Sequence, residues 1–376
     1  MRLQHKIKYI KTSQGFYVCI DRNIFVIIWL LLNRSEPFNL DVKTINYLSG
    51  PLMKFLRIIK IFIELLIFKY ARKGNEEVIE VPYDGHILLN KSGGYKVFDL
   101  SKEIVATQFK SDLKDDMFNE IVVELRGISK YPFAPHLVGV DYLNKCIYEG
   151  YINLKKSRRF YPISDYFYER ILPIWKEMIK VYPWKKKNLY EYVENQLNYI
   201  LKWIETLEKL NVEKEYVQNI KIFVKRTADD ILTCIPKHRG VYLTLSHGDL
   251  HAWNILQDRE RAVVIDWDTV KERSFYHDLY YIFYHNIFSG HNKDLKEFCL
   301  QLERCIDMCQ VYLPEERVQE HGDKKLYRML FYLEYVQLDL EKRLATLGEI
   351  SEINGRLRKM NSSIIAFESV EKNIVS

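Results

Sequence analysis

At 376 residues with 48% hydrophobic content, the chain is long enough to bury two cores, which makes a two-lobed enzyme natural without demanding it. Lys and Arg number 56 against 50 acidic residues, a net charge of +6. That mild basicity suits an anionic small molecule or a membrane surface, and without a basic-aromatic cluster it gives no sign of nucleic-acid binding. The cysteines Cys19, Cys146, Cys234, Cys299, Cys305 and Cys309 form no C-x-x-C pair, so buried, reduced thiols of a cytoplasmic protein are expected.

Residues 1–75 read as an N-terminal extension. Its "IFVIIWLLL" (24–32) falls far short of the roughly 20 apolar residues that span a bilayer, and no small-residue cleavage region follows it. In "PLMKFLRIIKIFIELLIFKYARKG", Lys54, Arg57, Lys60 and Glu64 recur at helical spacing as a narrow polar stripe, with Lys69, Arg72 and Lys73 at its end. Two readings of this 52–70 helix stand side by side: internal packing, and peripheral contact with the inner face of a membrane.

Residues 76–150 alternate β-rich runs with turn signals at Asp84-Gly85, Gly93-Gly94 and Ser101-Lys102-Glu103, which predicts a small antiparallel sheet. Within it, "KSDLKDDMFNEIVVELRGIS" places Met117, Ile121, Leu125 and Ile128 at helical spacing, and "HLVGVDYLNKCIYEGYI" reads as two further strands. Residues 151–376 are dominated by long helical patterns, among them "YEYVENQLNYILKWIETLEKL" and "EYVQNIKIFVKRTADDIL".

Those helices are interrupted by "SHGDLHAWNILQDRERAVVIDWDTV". His247, Asp249 and Asn254 have the H-x-D-x-x-x-x-N spacing of a kinase catalytic loop. The segment up to Asp266 reads as a hairpin; if 255–257 pair with 263–265 around Glu260, Asn254 lies opposite Asp266. Directly opposed side chains stand about 4.5–5.5 Å apart at Cβ, close enough to share a metal ion. Mg2+ takes such hard oxygen ligands, one or two from protein and the rest from water and phosphates. Asp249 is then the candidate catalytic base, Asn254 and Asp266 the metal ligands, and His247 a brace for the loop. A metal hydrolase using His247, His251 and Asp266 is the competing use of the same residues. Trp253 and Trp267 are expected to be packing residues.

The string resembles the aminoglycoside phosphotransferase and choline kinase family, whose members carry HGD-x-x-x-x-N followed by a strand ending in I-D-W/F-E/D. Asp268 fits the second acidic position, and Asp278 in "HDL" fits the family's later structural aspartate. The resemblance implies an α+β, bilobal protein-kinase-like fold, with a nucleotide-binding lobe at 76–150 and a helical catalytic and substrate-binding lobe at 151–376. It implies ATP and Mg2+ as cofactors and a small-molecule hydroxyl acceptor. It also makes Glu120 the helix glutamate that pairs with a strand lysine, and Glu149 to Tyr151 the hinge whose backbone meets the adenine.

One departure concerns phosphate grip. Where kinases carry V-A-I-K on the third strand, "IVATQFK" offers Thr107 or Gln108, and Gly93-Gly94 lacks the G-x-G-x-x-G pattern. Lys110, paired with Glu120, is the expected substitute, with Lys96 on the preceding strand its rival. A catalytically weak pseudokinase that binds nucleotide or a partner is the alternative this departure leaves open.

Overall fold

The computed structural model describes residues 6–41, 49–71, 77–91, 94–111, 113–157, 165–181, 184–234, 239–288, 295–310, 324–344 and 350–375. Arg72, Lys73 and Gly93, singled out above, lie outside them, as does the side chain of Cys234. The chain divides into two compact units, Met1–Ser157 with Ile255–Ile265, and Arg158–Asn254 with Asp266–Ser376.

The first unit is built on an eight-stranded sheet. Its strands are β1 (Ile7–Lys11), β2 (Tyr17–Cys19), β3 (Val78–Val81), β4 (Ile87–Lys91), β5 (Gly94–Asp99), β6 (Ile104–Phe109), β7 (Leu137–Asp141) and β8 (Cys146–Gly150), in the order β3-β1-β2-β4-β5-β6-β8-β7. Each neighbouring pair is antiparallel. The expected antiparallel sheet is thus present, and the N-terminal extension enlarges it with β1 and β2. "IKYIK", "TSQG" and "FYVC" carried the signal: two β-rich runs about a turn, with Gly15 at φ +87°. The β4–β5 turn requires Gly94, whose φ is +140° and where a Cβ would meet the Gln108 carbonyl oxygen at 1.9 Å.

Alternation along the strands separates two faces. Tyr9, Tyr17, Leu88, Val97 and Ala106 pack on one. On the other, Ile87, Phe98 and Val105 are covered by α1 (Ile24–Asn33) and α2 (Gly50–Ala71). Asn23 caps α1 by accepting from the Phe25 N–H at 2.9 Å. The helix α3 (Asp115–Ile128) buries Phe118, Val122, Leu125 and Ile128. The face expected from Met117 and Ile121 is therefore turned by one residue at its start, because Phe118 packs edge-on to Phe109 at 5.7 Å and sets the rotation.

In the second unit, α4 (Leu172–Val181), α5 (Leu189–Glu208), α6 (Lys214–Cys234), α7 (His277–Phe288), α8 (Leu295–Gln310) and the helices Lys324–Leu344 and Ile350–Val375 supply most of the mass. α5 and α6 fall on the two long patterns predicted above. A three-stranded sheet places β11 (Gly240–Ser246) between β10 (Lys185–Asn188) and β14 (Lys271–Ser274). Cys19, Cys146, Cys299, Cys305 and Cys309 are free and buried, as expected.

Candidate active site

β11 and β14 run antiparallel with Ser246 opposite Lys271, so the loop leaving one strand starts beside the loop entering the other. The first carries His247-Gly248-Asp249 and the second follows Asp266. Three acceptors and one glycine fix the first loop. The Asp278 carboxylate accepts from the Ser246 hydroxyl at 2.8 Å and from the backbone N–H groups of His247 and Gly248, both at 2.9 Å. The His247 carbonyl accepts from the Thr269 hydroxyl at 2.8 Å, and His247 Nδ1 accepts from the Asp249 N–H at 3.2 Å. Gly248 has φ +83°, and a Cβ there would lie 2.6 Å from the Arg273 guanidinium and 2.8 Å from the Thr269 carbonyl. No other residue fits. The His247 ring packs edge-on to the buried Trp267 at 4.7 Å, which is consistent with a brace.

Asp249 is half-buried. His251 Nε2 stands 3.7 Å from its carboxylate, and the phenol of the half-buried Tyr281 is near enough to feel its charge. Burial first, and then the Asp249 charge, push that phenol well above its ordinary range. His251 stacks on His285 at 4.5 Å, and Trp253 stands edge-on to His251. Trp253, expected to pack, is 44% exposed, whereas Trp267 is 2% exposed.

Asn254 is buried, and its Nδ2 donates to the Asp249 carbonyl at 2.9 Å. A carbonyl can only accept, so this bond sets the amide orientation and turns Oδ1 the other way. Asp266 has φ +67°, a left-handed conformation uncommon for a residue with a side chain. The hairpin between them, β12 (Ile255–Gln257) and β13 (Ala262–Val264), belongs to the sheet unit, where β12 also pairs with β9 (Lys155–Lys156). Its register differs from expectation. Ile255 faces Val264, which carries Asn254 opposite Ile265 and not Asp266. The reason is the turn: the Asp258 carboxylate accepts from the N–H groups of Glu260 and Arg261, and the Asp258 N–H bonds back to the Arg261 carbonyl, so two residues span the tip.

Behind the loop, buried Glu334 accepts from Tyr192 Oη at 2.6 Å, from Ser274 N and Oγ at 2.7 Å each, and faces His277 Nδ1 at 3.0 Å. Burial pushes its carboxyl up, but the bonds from His277, Tyr192 and Ser274 outweigh that and hold it below the ordinary range. Sequence reasoning missed Glu334, Tyr281 and Thr269. For Glu334 the available signal was a lone carboxylate inside the apolar run "MLFYLEYV".

The nucleotide-side residues are placed less favourably. Lys110 and Glu120 are both exposed and form no ion pair with each other. Lys110 follows β6 on the Gln108 side, whereas α3 packs through Phe118 against Phe109, on the opposite face; that geometry keeps Lys110 from Glu120. Lys96 lies directly across from Thr107 in the β5–β6 register and is buried at 6% exposure. Thr107 Oγ1 is itself buried without a hydrogen-bond partner. Glu149 is half-buried between β6 and β7. Tyr151 is buried, its N–H donates to the Glu103 carbonyl at 2.8 Å, and its hydroxyl donates to the Arg34 carbonyl at 2.6 Å. That N–H is therefore spent within the chain.

Among the described residues, no group of three or more His, Cys, Asp or Glu gathers to hold a metal ion. Asn254 and Asp266 nevertheless fit Mg2+ in kind, since this ion takes oxygen donors and draws most of its shell from water and phosphates.

An antiparallel-sheet unit followed by a helical unit, with the H-G-D loop seated on a short sheet of the latter, is the architecture of the protein-kinase-like fold. A family model described as ecdysteroid kinase-like matches residues 166–301. No curated protein matches the chain. Solved structures similar to it include an ethanolamine kinase from Plasmodium vivax, 15% identical over 84% of this chain and 90% of that one, with a TM-score of 0.49. A choline kinase from Streptococcus pneumoniae is 15% identical over 73% and 89%, with a TM-score of 0.43. An aminoglycoside phosphotransferase from Streptomyces rimosus is 12% identical over 73% and 98%, also with a TM-score of 0.43.

Proposed function

We propose that the protein is an ATP-dependent phosphotransferase that moves the γ-phosphoryl group to a hydroxyl of a small molecule, of the sugar, amino-sugar or envelope-precursor head-group class. The observation that carries this reading is the braced loop: Asp278 aligns three donors of Ser246 to Gly248, and the loop presents Asp249 next to an Asn254 whose amide is held by the Asp249 carbonyl. Asp249 orients the acceptor hydroxyl and takes its proton as the oxygen bonds to phosphorus and ADP leaves. Mg2+, bound with the nucleotide, would neutralise phosphate charge, and Asn254 and Asp266 would hold it. Lys96, on the same sheet face as Thr107, is the residue we assign to the phosphates in place of Lys110. The rings of His251, His285 and Trp253 beside Asp249 suit an acceptor with a flat, partly apolar face.

The exposed Lys110 and Glu120 and the spent Tyr151 N–H favour a second reading, a catalytically weak nucleotide-binding pseudokinase. A screen of hydroxyl compounds with labelled ATP separates the two. Phosphate transfer that is lost in Asp249→Asn supports the enzyme. Nucleotide binding without transfer to any compound supports the pseudokinase, and neither binding nor transfer sinks both.

A further inference from the structure

Three of the four residues in the polar stripe of α2 are turned toward the protein. Lys54 pairs with Glu36 at 2.8 Å, Arg57 donates to the carbonyls of Asn39 and Leu40, and Glu64 accepts from the Ser13 N–H. Met53, Ile58, Ile61 and Leu65 are buried. What α2 presents to solvent is its apolar side: Leu52, Phe55, Ile59, Ile63, Ile67 and Tyr70 recur at spacings of three and four and are 37–76% exposed. The adjoining α1 does the same with Phe25, 71% exposed, and Trp29, 58% exposed, while the Phe25 ring packs at a tilt against Phe62 of α2. Exposed apolar surface this continuous, on two neighbouring helices, marks an interaction site.

Charge selects the partner. With about 3.6 residues per turn, Lys60 and Lys69, both exposed, fall on opposite flanks of the α2 stripe. Glu64 is the one carboxylate in the two helices, and it is turned to Ser13. An apolar strip framed by cations, with indole and phenol rings at its surface, complements an anionic lipid surface, into which the rings insert while the lysines reach the headgroups. A two-fold contact between copies would set one lysine-flanked strip against another. No helix among the described residues is long and apolar enough to cross a membrane, so these helices would lie on it.

We propose that α1 and α2 dock the protein peripherally on an anionic membrane surface through Phe25, Trp29, Phe55 and Ile63, with Lys60 and Lys69 at the headgroups. The test is co-sedimentation of the full chain with vesicles of phosphatidylcholine alone and of phosphatidylcholine with phosphatidylglycerol. The unmodified protein binds the second kind, less so as salt rises. Lys60→Glu with Lys69→Glu weakens that binding by about thirtyfold or more, at about 1 kcal/mol per lysine near an anionic surface before counting the added repulsion. Trp29→Ser with Ile63→Ser weakens it by at least about tenfold. Because these side chains are exposed, melting temperatures stay as in the parent. Failure of the unmodified protein to bind anionic vesicles overturns the proposal, as does undiminished binding by both variants. A parent dimer that Trp29→Ser with Ile63→Ser splits, without vesicle binding, assigns the surface to a second copy instead.

Discussion

The loop around Asp249 and the sheet face around Thr107 treat their polar groups in opposite ways. In the loop, a carboxylate collects three donors, a threonine hydroxyl ties down a carbonyl, and a glycine accepts the close approach of Arg273. On the sheet, Thr107 keeps a buried hydroxyl without a partner, and much of the same face, at Ile87, Phe98 and Val105, is packed beneath α1 and α2. The first arrangement holds a reactive group at one position. The second is a hydrophobic core with one buried lysine in it. Pre-organisation is thus concentrated in the loop that presents Asp249, while the sheet face is given over to packing against the extension.

The strongest way to break that contrast is to remove its centre. Asp278→Ala leaves two backbone N–H groups and a hydroxyl without their acceptor, and each buried group left unsatisfied costs about 1–3 kcal/mol. The expected result is a loss of about 3 kcal/mol or more in denaturant unfolding, with turnover falling alongside. Asp249→Asn separates chemistry from scaffold: turnover falls by about 10²–10⁴, while the unfolding midpoint holds. If Asp278→Ala melts like the parent, the loop is not held by this carboxylate.

Glu334 extends the same scaffold into the core, and its titration has a definite sign. Its native value lies below the ordinary range, so the unfolded chain takes up the proton first as pH falls. The stabilisation is complete above the ordinary carboxylate value and disappears as pH drops through the lowered native one. Glu334→Gln keeps the shape and removes the charge; it should cost about 1.5–3 kcal/mol near neutrality, and the difference from the parent should shrink in acid. A difference that is constant between neutral and acidic pH would show that charge is not what His277, Tyr192 and Ser274 recognise.

On the sheet the comparison sharpens to two lysines. Lys96→Met should raise the nucleotide KM by about tenfold or more, the scale of a charge-assisted contact, whereas exposed Lys110→Met should be silent. Silence at both in an active enzyme would mean that the phosphates are met without a lysine from this sheet.

What the sequence revealed follows the same division. Asp249, Asn254, Asp266 and Asp278 could be singled out because they fall in recognisable motifs, and of them the structural aspartate Asp278 is seen holding the loop. The sheet, α3, α5 and α6 were legible because periodicity is local. The hairpin register was not, since it turned on whether the Asp258 carboxylate would close a two-residue tip. Nor was the pairing of Lys110: it depended on which face α3 covers, and Phe118 against Phe109 decided that across ten residues of chain. Glu334 lies far along the chain from the loop it stands behind, and Tyr281, three residues past Asp278, falls on no position of the motif.

Tyr281 offers the smallest and most discriminating effect. Tyr281 is half-buried, and desolvation together with the Asp249 charge holds its hydroxyl in the neutral form, so it is available as a donor to that carboxylate. Removing that donor in Tyr281→Phe leaves the carboxylate with His251 Nε2 nearby at 3.7 Å. The carboxylate then samples orientations that do not meet the acceptor hydroxyl. One hydrogen bond to a charged group is worth about 1.5–3 kcal/mol in total, and only the part that orients Asp249 for transfer reaches the rate. We expect kcat to fall about three- to tenfold with the nucleotide KM unchanged. A purely structural tyrosine would give a lowered melting temperature with kcat intact, and a tyrosine that binds the acceptor would raise the acceptor KM instead. Either pattern would detach Tyr281 from the positioning of Asp249 and return the loop's order to Asp278 and Thr269 alone.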